Sequence, residues 1–531
     1  MKMYFFFNFS FQLLIPILLI KSIYCHNQES SKVLLISFDG FRHDYFELAE
    51  KAGIYLKNFH YIFDIGVKTD YLKNAFIPRT FPNHMSIITG CFEETHGIID
   101  NEFFDPIYNE TFSVKNISQS LSSKWFSDCE PIWASNIING YQSGVFYWPG
   151  QMASYKNTIF PSHSFGLFSS NVSLEYKIDV IISWLLHKST KLAILYHHEP
   201  DRTGHLLGPD SRAILKVIKQ LDKNIGYLLE QIKSSQLESI LNIIIVSDHG
   251  MTTILDNCQI QMDEYINPEL YYDYQKSLTF WGIWPKSNAN FTKIIDNLRL
   301  APNLTVYRKE EIPVEWHYSK NRRVAPIVAL ADEGCIIVHK NISVMPKGTH
   351  GYSMSSSSMR GIFLAWGPKI MANNFSNSVV RVVDVFPLIA EILKFRHIPP
   401  NNGSLSNVKW ILKSNINEAG IFTTLVIISA LSLVAVLSVC VIISCAHYNS
   451  NALRVQKVGN TYVLKSGNLV RKWQQNQDGT NEKKAAQSSK IKKFLNKKSK
   501  ITEADAAFLL ESNDEDEILG DIPSSSYKFH S

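Results

Sequence analysis

The sequence predicts an α/β fold, with a central, mostly parallel sheet between layers of helix. Three observations predict it. KVLLISFDG (32–40), KLAILYHHEPD (191–201) and LNIIIVSDHG (241–250) open as near-continuous apolar runs. Strands buried on both faces read this way. Between them, DSRAILKVIKQLDKNIGYLLEQIK (210–233) carries helical periodicity, which places helices on both faces of the sheet. Each run also stops at an aspartate: Asp39, Asp201 and Asp248.

The chain divides by composition. Its 531 residues are 45% hydrophobic, enough for a large core, and a net charge of +5 does not argue for nucleic-acid binding. Met1–Lys2, an apolar run and SIYC read as a secretory signal peptide over 1–25. Asn8, Gln12 and Pro16 interrupt that run, which favours its removal over an uncleaved anchor. Residues 419–446 hold no charge and are long enough to cross a bilayer. One transmembrane helix after a signal gives a single-pass type I protein of the plasma membrane, with Arg454, Lys457 and Lys465 retained inside. The catalytic ectodomain is expected over 32–410. The tail, 447–531, is Lys-rich to Lys500 and then acidic (ESNDEDE), which reads as a disordered cytoplasmic segment. Its basic block reads as solvated before it reads as a contact with anionic lipid.

Glycosylation sequons and cysteines point the same way. Asn109, Asn116, Asn171, Asn290, Asn303, Asn341, Asn374 and Asn402 each head an N-x-S/T, and all precede the membrane segment. Cys25 leaves with the signal. Cys91, Cys129, Cys258 and Cys335 fall in an oxidising compartment, where three pairings are open. Cys440 and Cys445, at the inner end of the span, read equally as palmitoylation sites or apolar packing.

Ligand sites in open α/β sheets lie beyond the carboxyl ends of the strands. One aspartate there is ordinarily a turn former or helix cap. Here Asp201 has His205 four residues on, Asp248 has His249 beside it, and KGTHGYS adds His350. Gathered carboxylates repel unless cations sit among them, and a mixed Asp/His set suits zinc. His197 and His198 read as packing or support, His43 as local, and His96 as shaping a pocket loop. PRTFPNHMSIITG (78–90) reads as a helix start, with Thr80 either a cap or a reacting group.

FDGFR, PRTFPNHMSIITG, THGIIDNEFFDP, EPDRTGH, SDHGM and THGY, in that order, resemble the ectonucleotide pyrophosphatase/phosphodiesterases of the alkaline phosphatase superfamily. The resemblance covers nearly all the ectodomain and implies an alkaline-phosphatase-like sandwich with two zinc ions. It implies Asp201, His205 and His350 on one zinc, and Asp39, Asp248 and His249 on the other, with Thr80 as nucleophile bridging onto the second. Asn101 would bind a phosphate oxygen and Phe81 would wall the substrate slot. Phe168, with Tyr155 as competitor, would form its other wall. The chain shape resembles the short type I members.

Those members include nucleotide and choline-phosphoester hydrolases, so ATP, NAD, dinucleoside polyphosphates and choline lipids remain candidate substrates. A neutral Asn101 and a slot beside Phe81 favour a diester over a monoester. Arg79 is read as solvent-facing. A receptor-like ectodomain with a vestigial site is the rival from another class, and the complete ligand set counts against it. A sulfatase lacks support, because Thr80-Phe81-Pro82 is not followed by the required Arg.

Overall fold

A computed structural model describes residues 31–338, 345–376, 378–413, 416–452, 454–458, 461–466 and 469–474. It divides into two compact units, one ending at Ser414 and one beginning at Asn415. Residues 1–30, where the signal is expected, Asn341 and residues 475–531 lie outside the described residues.

The first unit is built on an eight-stranded sheet. Its strands are β1 (Lys32–Phe38), β2 (Val67–Thr69), β3 (Gln142–Phe146), β4 (His163–Phe165), β5 (Thr190–His197), β6 (Leu241–Val246), β7 (Phe363–Trp366) and β8 (Asn374–Ser376). They lie in the order β8-β2-β7-β6-β1-β5-β3-β4. Every pair is parallel except those made by β7, which runs against both β6 and β2. All residues of β1, β5 and β6 are buried, as the apolar runs require. Helices α1 (Thr80–Thr89), α2 (Leu174–Leu186), α3 (Asp201–Leu207), α4 (Arg212–Ser234) and α5 (Val385–Leu393) cover the sheet. The 210–233 pattern becomes α4, which buries Ile214, Ile218, Leu221, Ile225, Leu228 and Ile232 on one stripe.

A second sheet does not follow the parallel pattern. Tyr271–Lys276, Phe280–Pro285, Ile327–Ala331 and Leu304–Arg308 pair antiparallel in that order. It has its own core, including Trp281, Ile283, Ile295, Leu298, Ile327 and Ala329. The aromatic and β-branched residues of FWGIWP and LTVYR suit such strands. Asn109, Asn116, Asn171, Asn290, Asn303 and Asn402 are all exposed.

In the second unit, helix α6 (Ile416–Ala452) contains Val426–Ala446, long and apolar enough to cross a membrane. Beyond it, Arg454–Val458, Thr461–Ser466 and Leu469–Gln474 form an antiparallel meander. This departs from the disorder expected of residues 447 onward. Two Gly-Asn pairs separate three Val-, Tyr- and Trp-bearing runs, a hairpin signal that overall polarity concealed.

Disulfides join Cys91 to Cys129 and Cys258 to Cys335. Proteolytic mapping without reductant should recover these two linked peptides, and Cys91 joined to Cys258 or Cys335 would contradict the pairing. The loops span 38 and 77 residues, so chain entropy alone assigns each crosslink about 4 kcal/mol. Replacing Cys91 and Cys129 together by Ser should lower the thermal midpoint accordingly.

Candidate active site

The site lies where β1, β5 and β6 end. Asp39 follows β1, Asp201 opens α3 after β5, and Asp248 and His249 follow β6. The main chain ties these ends together: Asp39 N–H donates to His197 O at 2.9 Å, and Asp201 N–H to Asp39 O at 2.9 Å. Between them Gly40 has φ +67°, and a Cβ there would lie 2.8 Å from Asp201 Cα. No other residue fits this approach without movement. His205 stands one turn along α3 from Asp201. His350 arrives just after Gly348–Thr349, which pairs antiparallel with Thr252–Thr253.

Six side chains converge. His249 Nε2 lies 3.1 Å from Asp248 Oδ2 and 3.4 Å from Asp39 Oδ1. Asp201 Oδ1 lies 3.4 Å from His205 Nε2 and 3.6 Å from His350 Nε2. The His249 and His350 rings stack with centroids 3.5 Å apart. Each imidazole gives its Nδ1–H to a backbone carbonyl: His205 to Gly348 at 2.8 Å, His249 to Gly250 at 2.9 Å, and His350 to Pro78 at 3.0 Å. Every Nε2 therefore presents a lone pair. The facing oxygens, Asp39 Oδ1, Asp201 Oδ1 and Asp248 Oδ2, are buried and accept no hydrogen bond. Acceptors thus face acceptors across the cluster, an arrangement that suits cations.

Two sets of donor atoms lie within 4.8 Å of one another: Asp201, His205 and His350, and Asp39, Asp201 and His249. Asp201 adjoins both. Burial and the neighbouring acids hold the carboxyls of Asp39 and Asp248 far above the usual range, and burial raises Asp201. Burial keeps His249 and His350 neutral by pushing their pKa values well down. The donor set fits hard-to-borderline divalent cations such as zinc.

Thr80 is the first residue of α1, and Arg79 holds the N-cap position with no side-chain cap bond. The Thr80 hydroxyl is therefore not spent on capping; its Oγ1 lies 3.5 Å from His249 Nε2. Asn83 instead organises the entry, accepting from Ala75 N–H at 2.9 Å and donating to Ile77 O at 2.8 Å. Pro82 falls in the first turn, where its missing N–H costs nothing, and Gly90 ends the helix in the left-handed region at φ +67°.

Asn101 Oδ1 accepts the Phe81 N–H at 3.0 Å. That bond fixes the amide and leaves its NH2 as donor. Phe81 is half-buried beside Phe112, with ring centroids 6.2 Å apart. Phe168 is 51% exposed and packs edge-on to Tyr147, Tyr196 and His198. Tyr155, its competitor, is buried with Met85, Phe126 and Trp133 around a small cavity. His197 supports β1 through its carbonyl, His43 packs on Tyr71, and His96 bonds Ser86 Oγ at 3.0 Å. Arg79 does not face solvent as its sequence position suggests: its side chain is 16% exposed and its Nε lies 3.1 Å from Asp100 Oδ1.

Three supporting residues were not singled out from sequence. Tyr196 Oη donates to Asp39 Oδ2 at 2.5 Å. Burial lowers His84 to about 4, so it is neutral; its Nδ1–H donates to Thr80 O at 2.7 Å and its Nε2 faces Ser37 Oγ at 2.9 Å. Asn74 donates its amide to Asp248 O. The i, i+4 spacing of Thr80 and His84 was a readable signal. Nothing in the sequence marks Tyr196 apart from other apolar positions of β5.

A pH trend follows from these environments. Carboxyls whose folded pKa is raised stabilise the cation-free protein below their unfolded pKa, and that stability is lost as pH rises through the folded value. The imidazoles of His249 and His350 act the other way: neutral when folded, they cost stability as pH falls through the ordinary imidazole range, where the unfolded chain takes up their protons. Cations bind the deprotonated set, so a chelator should lower the thermal midpoint more at about pH 8 than at about pH 5.5. Equal shifts at both, or none, would contradict a cation site.

Comparison with known proteins agrees with this geometry. A family model described as type I phosphodiesterase / nucleotide pyrophosphatase matches residues 33–353. Human ectonucleotide pyrophosphatase/phosphodiesterase family member 5 is 39% identical over 388 residues, covering 73% of this chain and 79% of that protein. Human bis(5'-adenosyl)-triphosphatase ENPP4 is 37% identical over 386 residues, covering 72% and 82%. The solved structure of an inactive murine ectonucleotide pyrophosphatase / phosphodiesterase 5 in complex with AMP superposes with a TM-score of 0.68 at 38% identity, covering 72% of this chain and 100% of that one. With the sheet, the convergent acids and histidines and this match in agreement, the chain belongs to the type I phosphodiesterase / nucleotide pyrophosphatase family, hydrolases of phosphodiester and pyrophosphate bonds.

Proposed function

We propose that the chain is a two-zinc phosphodiesterase of the cell surface that hydrolyses extracellular nucleotides or related phosphodiesters through a phosphothreonine at Thr80. The observation that carries this reading is the facing of three imidazole Nε2 atoms and three unpartnered carboxylate oxygens, with the Thr80 hydroxyl against one of the imidazoles. Asp201, His205 and His350 would hold one ion, and Asp39, Asp248 and His249 the other, with Thr80 beside it. When bound, such ions make a hydroxyl or water more acidic and stabilise charge on the entering and leaving oxygens.

The chain's own residues supply the rest. Thr80 Oγ attacks phosphorus as the bond to the leaving oxygen breaks, then water displaces Thr80 and restores its hydroxyl. The positive end of α1 favours the charge that develops there. The Asn101 NH2, oriented by Phe81 N–H, donates to a non-bridging oxygen. Phe81 and Phe168 offer aromatic faces to a nucleotide base. For topology, the reading is a signal over 1–25, an extracellular domain over 32–410, a membrane helix over 419–446 and a cytoplasmic tail over 447–531. Two disulfides, exposed sequons and the apolar helix support it.

The test is a substrate panel of nucleotides, dinucleotides and choline phosphoesters on the purified full chain in detergent, with zinc content measured in parallel. Thr80→Ala should lower kcat/KM roughly a thousandfold or more while retaining zinc, because the six Asp and His side chains remain. Full activity in Thr80→Ala, or turnover by zinc-free protein, would overturn the mechanism.

A further inference from the structure

The meander of the second unit follows α6 almost without a link. Ala452 ends the helix and Arg454 opens the first strand. Past the apolar segment Val426–Ala446, α6 continues only from His447 to Ala452, about 9 Å of helix. A span over that segment therefore holds the meander at the surface of the bilayer it crosses. Charge is one-sided here. From 419 to 477 the sequence has no Asp or Glu, while the three strands carry Arg454, Lys457, Lys465, Arg471 and Lys472.

Register sorts these strands onto two faces. Val455, Leu464 and Arg471 lie in one row across the sheet, and Lys457, Tyr462 and Trp473 in another row of the same face. Leu469 alternates onto that face as well. The opposite face takes Arg454, Lys465 and Lys472, among glutamines, a threonine and valines. The first face thus gathers two leucines, a tyrosine and a tryptophan around two cations. A sheet face of that composition needs a layer to cover it. Aromatic rings favour the membrane–water boundary, and Lys and Arg are drawn to anionic headgroups there. We propose that the meander docks on the bilayer that α6 crosses, with the face of Lys457, Tyr462, Leu464, Arg471 and Trp473 against anionic lipid headgroups. The inference rests on the reading of α6 as a membrane helix and adds a second, lipid-selective attachment to it.

The experiment follows hydrogen exchange of the backbone amides of 454–474 in the full chain, held in bilayer discs of phosphatidylcholine alone or with phosphatidylserine added. Anionic discs should slow this exchange at least about tenfold, because binding only the folded meander stabilises it. Raising salt to about 0.5 M should remove most of the slowing. Each cation at an anionic surface contributes a factor of about five in binding. Lys457→Gln with Arg471→Gln should therefore abolish most of the slowing. Lys465→Gln with Lys472→Gln, an equal loss of charge from the opposite face, should keep more than half of it. Exchange of both variants in phosphatidylcholine discs, matching wild type, shows that the meander still folds. Equal exchange of the wild-type chain in the two kinds of disc would overturn the docking. Equal loss in the two variants would overturn the face assigned to it. Slowing by soluble polyglutamate but not by anionic discs would give the face to an acidic protein and overturn the lipid. A chain released from vesicles by alkaline carbonate would refute the membrane-helix reading itself.

Discussion

Three carboxylates and three imidazoles meet in one place with their lone pairs turned toward each other, Asp39, Asp248, His249 and His350 buried and Asp201 and His205 partly exposed. Moving an ionised carboxylate into a protein interior costs several kcal/mol, and repulsion between neighbours adds to it. The surroundings are arranged to bear that cost. Each acid sits at the end of a strand whose neighbours are fully buried, so the backbone cannot drift to separate the charges. Gly40 allows the first and second strand ends to close on one another. Tyr196 and the Gly40 N–H each satisfy the outward oxygen of one carboxylate, leaving the inward oxygen bare. For Asp39 and Asp248 the protein satisfies one carboxylate oxygen and leaves the other turned into the cluster.

Helix α1 joins this cluster to Thr80. Its first turn carries Thr80, its second carries His84, and His84 Nδ1 lies 3.3 Å from Asp248 Oδ2. The next residue after its Gly90 cap is Cys91, which is crosslinked to Cys129. The helix is thus held at both ends and along one face. In the proposed role, the Thr80 hydroxyl gains from such fixing, because correct positioning supplies a large part of a reacting group's advantage.

Much of the site is legible in the sequence because its residues sit beside strong local signals. Asp39, Asp201 and Asp248 close apolar runs, and His205 and His249 lie within four residues of an acid. Spatial relations between distant segments are not legible. Tyr196 looks like any strand aromatic until β1 and β5 are paired. The direction of Arg79 depends on Asp100, Gly351 and the second sheet together. That sheet is antiparallel: a short turn joins its first two strands, and the segment leading into Leu304–Arg308 carries the helix Phe291–Leu298. The disulfide pairs follow from loop positions, which spacing does not determine.

The contributions to the cluster are scattered along the chain. Gly40 bonds Asp248 across 208 residues, and His350 reaches the Pro78 carbonyl across 272. During synthesis, Asp39 and Thr80 therefore emerge long before their partners exist. A fragment that ends before Asp201 carries Thr80 with only Asp39 of the cluster, and a chain halted before His350 carries every member of the cluster but one. The cluster is therefore complete only once the chain has been made as far as His350, and its geometry is a property of the whole fold rather than of any one segment.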